Sequence, residues 1–279
     1  MQQPGNLEFE FHDEDFDLIR KLVHEKTGIN IQPHKKTMVY GRVAKRSRKL
    51  GMNNFRQYIN FVTGPDAGSE VVDFINAITT NLTRFFRENH HFEHLKNTGL
   101  PQAIEKNSRS KKLRIWSAGC SAGMEPYSIA MILRDVLPGV DSWDARILAT
   151  DIDTNMLKTG TMGEYKLEEL ETIPQNYRKG FIRTDDSGDK IIMSQKLKKL
   201  ISFKQLNFID PWPLKGPFDI IFCRNVVIYF NRDTQAVLFN KFADVLATGS
   251  HMYIGHSENL HGISDRFRLE GKTIYKKIK

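Results

Sequence analysis

Three short stretches set polar residues directly after apolar runs, the places where a sheet protein assembles chemistry. The first, Trp116-Ser117-Ala118-Gly119-Cys120-Ser121-Ala122-Gly123-Met124-Glu125-Pro126-Tyr127-Ser128, reads as a strand, a glycine-containing turn and a helix start. Such a turn lets a polar or anionic cofactor approach backbone N–H groups closely. Its spacing is Gly119-x-x-x-Gly123, so the three-glycine dinucleotide fingerprint is absent, which counts against an NAD-linked oxidoreductase. Alone, the turn is equally a feature of any α/β fold. The second stretch, Ala149-Thr150-Asp151-Ile152-Asp153, carries a carboxylate to a strand tip, where it can accept hydrogen bonds from ribose hydroxyls. A helix N-cap is the competing use, and we assign Asp151 to the ribose and Asp153 or Thr154 to the cap. The third, Cys223-Arg224-Asn225-Val226-Val227-Ile228-Tyr229-Phe230, follows the apolar run Phe218 to Phe222. Polar residues at that carboxyl tip mark the switch point where open α/β sheets bind ligands. Taken singly, Arg224 is explained as well by a surface charge and Asn225 by a cap.

The elements that must position these residues alternate. Leu113 to Trp116, Arg146 to Ala149, Phe218 to Phe222 and Met252 to Ile254 read as strands. Between them, Glu125 to Leu137, Thr154 to Thr159 and Asp233 to Leu246 read as helices, and Phe267 to Tyr275 as a closing hairpin. This rhythm predicts an α/β domain with a mostly parallel sheet. It is interrupted between Gly160 and Phe208 by a segment whose turn, Thr184 to Asp189, lies between Phe181-Ile182 and Ile191-Ile192-Met193, which predicts a small antiparallel insert. Ahead of the sheet, apolar residues recur at helical spacing: Phe16, Ile19, Leu22 and Val23, then Phe55, Tyr58, Ile59 and Val62. Stops at Thr27-Gly28, Leu50-Gly51 and Thr63-Gly64-Pro65 complete a small helical bundle.

Composition narrows the class. The 279 residues include 41 Lys and Arg against 33 Asp and Glu, a net charge of +8, which suggests an anionic partner without naming it. No apolar run approaches the roughly 18 residues of a membrane span, and the first residues lack a signal-peptide pattern, so neither membrane insertion nor secretion is expected. Two cysteines, Cys120 and Cys223, form no disulfide framework and read as reduced thiols of a cytoplasmic protein. His90, His91 and His94 lack a fourth ligand nearby and read as surface or packing histidines, so no metal is expected. The second helix, His34 to Leu50, carries Lys35, Lys36, Arg42, Lys45, Arg46, Arg48 and Lys49 and no acidic residue. A solvated face is the ordinary explanation.

Taken together, the blocks resemble the CheR-type chemotaxis receptor methyltransferases, which use S-adenosylmethionine to methylate glutamates on chemoreceptors. The resemblance covers nearly the whole chain: Ile78-Thr-Thr-Asn-Leu-Thr-Arg-Phe-Phe-Arg-Glu88, the Trp116 to Ser128 run, Thr150-Asp-Ile-Asp, Cys223 to Phe230, and Gly255-His-Ser-Glu-Asn. It implies a Rossmann-like S-adenosylmethionine-dependent methyltransferase domain over 89–279, with a small antiparallel β insert at about 160–208. A helical N-terminal domain over 1–88 would precede it. Carried over by position, Asn81, Thr83, Arg87, Glu125, Asp151, Asn207 with Phe208, and Arg224 with Asn225 would surround the cofactor. Arg87 and Tyr229 would lie closest to the transfer chemistry. Glu125 would suit the cofactor's amino group, and Arg87 would align either the cofactor's carboxylate or the acceptor glutamate.

The implied partners are the Glu-rich cytoplasmic helices of methyl-accepting chemoreceptors, which the basic second helix would steer, and, in a subset of the family, a receptor C-terminal peptide held by the β insert. Nucleic acid is not expected, because the basic run lacks interleaved aromatics, and the chain is expected to act as a monomer. The chain departs from the family where it has Gly123-Met124-Glu125-Pro126 instead of Gly-Glu-Glu-Pro, and at Thr248-Gly249-Ser250-His251, where a Pro-Gly-Gly-like turn is common. If the binding carboxylate is the first of the pair, the cofactor site is weakened. The alternatives are a non-catalytic regulatory module that binds the cofactor and a nucleic-acid methyltransferase.

Overall fold

The computed structural model describes residues 9–279. They form two compact units, one of residues up to Thr80 together with Tyr229–Asn231, the other of Asn81–Ile228 and Arg232–Lys279.

The first unit holds α1 (Asp13–Thr27), α2 (Lys36–Lys49), α3 (Phe55–Thr63) and α4 (Glu70–Ile78). Phe16, Ile19, Leu22 and Val23 of α1 are buried with Val39 and Val43 of α2, Tyr58 of α3 and Phe74 of α4. The helix ends follow their residues: Gly28 takes the left-handed conformation and donates its N–H to the His24 carbonyl, and the Asn54 side chain accepts from the Gln57 N–H. The basic second helix begins at Lys36, after a 3-10 turn over Pro33–Lys35. Part of its charge is internal. Arg46 pairs with Glu70 and Asp73, Arg42 donates to the carbonyls of Ile78 and Thr79, and Lys36 pairs with Asp13. Lys35, Lys45, Arg48 and Lys49 are exposed.

The second unit opens with α5 (Asn89–His94) and α6 (Leu100–Lys106), joined by a π-helical turn. Then come β1 (Lys112–Ala118), α7 (Met124–Val136), β2 (Asp144–Asp151) and α8 (Thr154–Met162). The insert follows, with β3 (Glu164–Lys166), α9 (Gln175–Arg178), β4 (Ile182–Thr184), β5 (Lys190–Met193) and α10 (Gln195–Lys198). The chain returns through β6 (Ile201–Gln205), β7 (Phe218–Cys223), α11 (Arg232–Val245), β8 (Leu246–Ile254), β9 (Phe267–Gly271) and β10 (Ile274–Lys277).

The main sheet has the order β6-β2-β1-β7-β8-β10-β9, parallel except for β10, which pairs antiparallel with both β8 and β9, and β3-β5-β4 form a separate antiparallel sheet. Because strand order reverses between β1 and β7, the crevice outside their carboxyl ends is the switch point of the fold.

Two expected boundaries move. Ile201–Gln205 falls outside the expected insert of 160–208, because Ile147 to Asp151 pair with it in parallel and make it an edge strand of the main sheet. Residues 81–88 group with the second unit and not with the helical one, since Phe85 and Phe86 are buried in its core with Phe92, Met124 and Tyr165. Conversely, Tyr229–Asn231 group with the helical unit, where the Asn30 N–H donates to the Tyr229 carbonyl at 2.7 Å. No helix among the described residues is long and apolar enough to cross a membrane.

Candidate functional site

The turn after β1 is built on Gly119, whose φ of +79° and close approach to the Val226 side chain admit no Cβ. Its donors do not stand free for a ligand, as the sequence suggested. The N–H groups of Gly119 and Cys120 both donate to the Thr150 carbonyl, at 2.8 and 2.9 Å, and that of Ser121 donates to Asp151 Oδ2 at 2.7 Å. The turn is therefore closed onto the tip of β2.

Asp151 also accepts from the Asp153 N–H at 2.9 Å. Burial lifts its carboxyl to about 6, against the pull of these N–H groups. Asp153 is the N-cap of α8, accepting from the N–H groups of Asn155 and Met156. Its second oxygen accepts from Asn81 Nδ2 at 2.7 Å, which ties the 81–88 segment to the same strand tip.

On the other side of the turn, Glu125 accepts from Ser117 Oγ at 2.7 Å and from Arg224 Nη1 at 3.2 Å. Burial raises its pKa, with Arg224 and Ser117 opposing. Met124 belongs to the hydrophobic core, so of the expected carboxylate pair it is the second position that joins the polar cluster. Arg224, with a side chain only 2% exposed, also donates to the Arg87 carbonyl and pairs with Glu88 at 3.5 Å. Glu88 accepts from Asn225 Nδ2 at 3.3 Å and from His256 Nδ1 at 2.9 Å. Its burial disfavours charge, yet His256, Arg224 and Asn225 together hold the carboxyl down at about 2. Arg87 Nη1 donates to the Leu82 carbonyl at 2.9 Å.

Four non-glycine residues of this cluster take positive φ: Phe86 at 51°, Glu88 at 58°, Ser121 at 48° and Asn225 at 58°. Such backbone persists only where the surroundings over-determine it, and it concentrates at functional sites.

The structure thus brings together Asn81, Arg87, Glu125, Asp151, Arg224 and Asn225 around the tips of β1, β2 and β7, with Thr83 half-buried on the segment between Asn81 and Arg87. Asn207 stands beside the same tips, because the preceding Leu206 N–H donates to the Asp151 carbonyl. The Phe208 ring packs instead with Trp116, Trp212 and Phe242. Tyr229 lies in the other unit from the remaining site residues. His91 and His94 are bonded within the second unit, His91 to the Lys272 carbonyl and His94 to the Tyr253 hydroxyl. Glu88, His256 and Glu258 were given no role from sequence. Their signal was membership of the blocks that carry the family resemblance, since each acquires partners from segments far away in the chain.

A strand order reversing at β1 and β7, with an acidic residue at the β2 tip and a glycine turn after β1, is an arrangement in which open α/β folds bind nucleoside-containing cofactors. The family model described as CheR methyltransferase, SAM binding domain, matches residues 81–276, and that described as CheR methyltransferase, all-alpha domain, matches 14–79. The chain belongs to the CheR methyltransferase family and binds S-adenosylmethionine. It is 42% identical over 258 residues to a probable chemotaxis protein methyltransferase of Rhizobium etli, covering 91% of this chain and 96% of that one. It is 39% identical over 266 residues to the chemotaxis protein methyltransferase of Escherichia coli, covering 94% and 90%. With chemotaxis protein methyltransferase 2 of Pseudomonas aeruginosa the identity is 38% over 274 residues, covering 97% and 95%.

Proposed function

We propose that this chain transfers the methyl group of S-adenosylmethionine to glutamate side chains on the cytoplasmic helices of chemoreceptors, giving glutamyl methyl esters and S-adenosylhomocysteine. The observation that carries this reading is its likeness, over nine-tenths of its length, to chemotaxis protein methyltransferases. The site chemistry is consistent with it. A carboxylate acceptor is ionised at neutral pH and needs no general base. The thiols of Cys120 and Cys223 are pushed well above their ordinary range by burial, so neither competes as a nucleophile.

Arg224 Nε is buried without a hydrogen-bond partner, a donor suited to the charged amino-acid end of the cofactor. S-adenosylmethionine, when bound, supplies an electrophilic methyl group whose bonding electron pair stays with sulfur as the acceptor oxygen displaces it in line. Glu125 faces the amino group in this reading, Asp151 the ribose hydroxyls, and Asn81, Thr83, Asn207 and Asn225 complete the surround, with Phe208 contributing backbone and not its ring. Arg87 aligns either the cofactor's carboxylate or the acceptor glutamate. The residues' contribution is positioning and exclusion of water.

The exposed Lys35, Lys45, Arg48 and Lys49 supply the charge that would steer acidic receptor helices, a cytoplasmic encounter made by a monomer. The β3-β5-β4 sheet is the candidate seat for a receptor's C-terminal peptide. The test is methyl transfer from tritiated cofactor to receptor cytoplasmic fragments, followed by mild base. Volatile labelled methanol is expected. Label that resists base, or no incorporation, would overturn the glutamyl ester.

A further inference from the structure

Glu258 is 5% exposed and lies on the loop after β8. One of its oxygens accepts from the N–H groups of Val226 and Ile228, at 2.9 and 3.3 Å, and the other from those of Asn225 and Gly255, at 3.1 and 2.5 Å. A carboxylate is the side chain with enough acceptor sites for four donors, and Gln offers half of them. Three of the donors belong to the segment that leaves β7 immediately after Arg224. The fourth, Gly255, leaves the neighbouring strand β8.

The contact is close from both sides. A Cβ on Gly255 would lie 2.5 Å from Asn225 Nδ2 and 2.7 Å from its backbone N, so a glycine there is what lets the two strand exits touch. Asn225, between them, holds φ at +58°. A left-handed asparagine is held by such over-determination and relaxes when it is removed.

We propose that Glu258 is a positioning residue for the cofactor site, clamping the β7 exit to the β8 exit so that Arg224 and Asn225 are presented in fixed geometry. The clamp rests on the reading that Arg224 and Asn225 face the cofactor. It reaches them through the backbone: Arg224 bridges Glu125, Glu88 and the Arg87 carbonyl, so a shift of the segment after β7 changes all three at once.

The test uses the full chain and S-adenosylhomocysteine as the calorimetric probe, with Glu258→Gln, Gly255→Ala and Lys277→Met. Gly255→Ala disturbs the same contact from its other side, and serves if Glu258→Gln does not fold. Lys277→Met is a stability control, because the buried Lys277 Nζ is bonded to the carbonyls of Ala243 and Leu246, near the amino end of β8. Misplacement of a binding group by about an ångström costs up to about a hundredfold, so Glu258→Gln and Gly255→Ala are each expected to weaken binding by about ten- to a hundredfold. KM for the cofactor should rise more than kcat falls, while Lys277→Met lowers the unfolding midpoint and leaves affinity unchanged. A folded Glu258→Gln or Gly255→Ala variant with wild-type affinity would overturn the clamp, as would an equal loss in Lys277→Met. Failure of the wild type itself to bind would instead overturn the cofactor-site reading beneath it.

Discussion

Replacing Asp151 by Asn should separate what this carboxylate costs the fold from what it contributes to binding. Burial lifts its carboxyl from 3.8 to about 6. Between those values the folded chain holds a proton that the unfolded chain has released. Stability therefore falls as pH rises through this interval, and above it the ionised side chain costs about 3 kcal/mol. About half of that cost is already present at about pH 5, so going from there to about pH 8 the wild type loses about 1 kcal/mol through this group. Asn has no such slope. It gives up one acceptor for the N–H groups of Ser121 and Asp153, a penalty of about 1–3 kcal/mol that is the same at both pH values and cancels in the comparison. Urea unfolding of both proteins at both pH values should show the variant gaining about 1 kcal/mol relative to wild type on going to the higher pH. Its affinity for S-adenosylhomocysteine should fall about tenfold, as expected for a charge-assisted hydrogen bond. A stability difference that is identical at the two pH values would refute the burial argument, and unchanged affinity would refute the ribose assignment.

Other substitutions test separate parts of the molecule. Arg87→Ala should abolish methyl transfer in an initial-rate assay, and full activity would remove Arg87 from the transfer chemistry. Cys120 and Cys223 are both buried free thiols, so iodoacetamide at mildly alkaline pH should leave the folded chain unmodified and label both in urea; mass spectrometry showing rapid labelling of the folded protein would contradict their raised pKa values. Glu70→Gln removes a carboxylate that accepts from Arg46 Nε at 2.9 Å and from the Tyr58 hydroxyl at 2.7 Å. Leaving the half-buried Arg46 guanidinium with Asp73 as its remaining carboxylate partner should cost about 2 kcal/mol in urea unfolding, and a loss below about 1 kcal/mol would show that Asp73 suffices.

Periodicity fixes an element's existence more firmly than its membership. The helical spacing of Phe16, Ile19, Leu22 and Val23 and the apolar run Phe218 to Phe222 each correspond to an element of the structure. Ile201 to Gln205 lies inside the stretch that interrupts the α/β rhythm, and only pairing with β2 makes it part of the main sheet. The expected break at Glu88 likewise took 81–88 with the helices before it. Phe85 and Phe86 carry no mark in the sequence of which core they enter.

By itself the sequence determined the α/β rhythm, the helical unit ahead of it, the glycine turn after β1, the strand-tip Asp151 and the family, because each is written in contiguous residues. The tertiary structure alone decided that the turn's donors are spent on Thr150 and Asp151, that Glu125 and not Met124 joins the polar cluster, and that the Phe208 ring turns into an aromatic core. It also decided the partners of Glu88 and Glu258. A buried carboxylate is defined by the donors around it, and here those donors come from strand exits that are neighbours only once the sheet has closed.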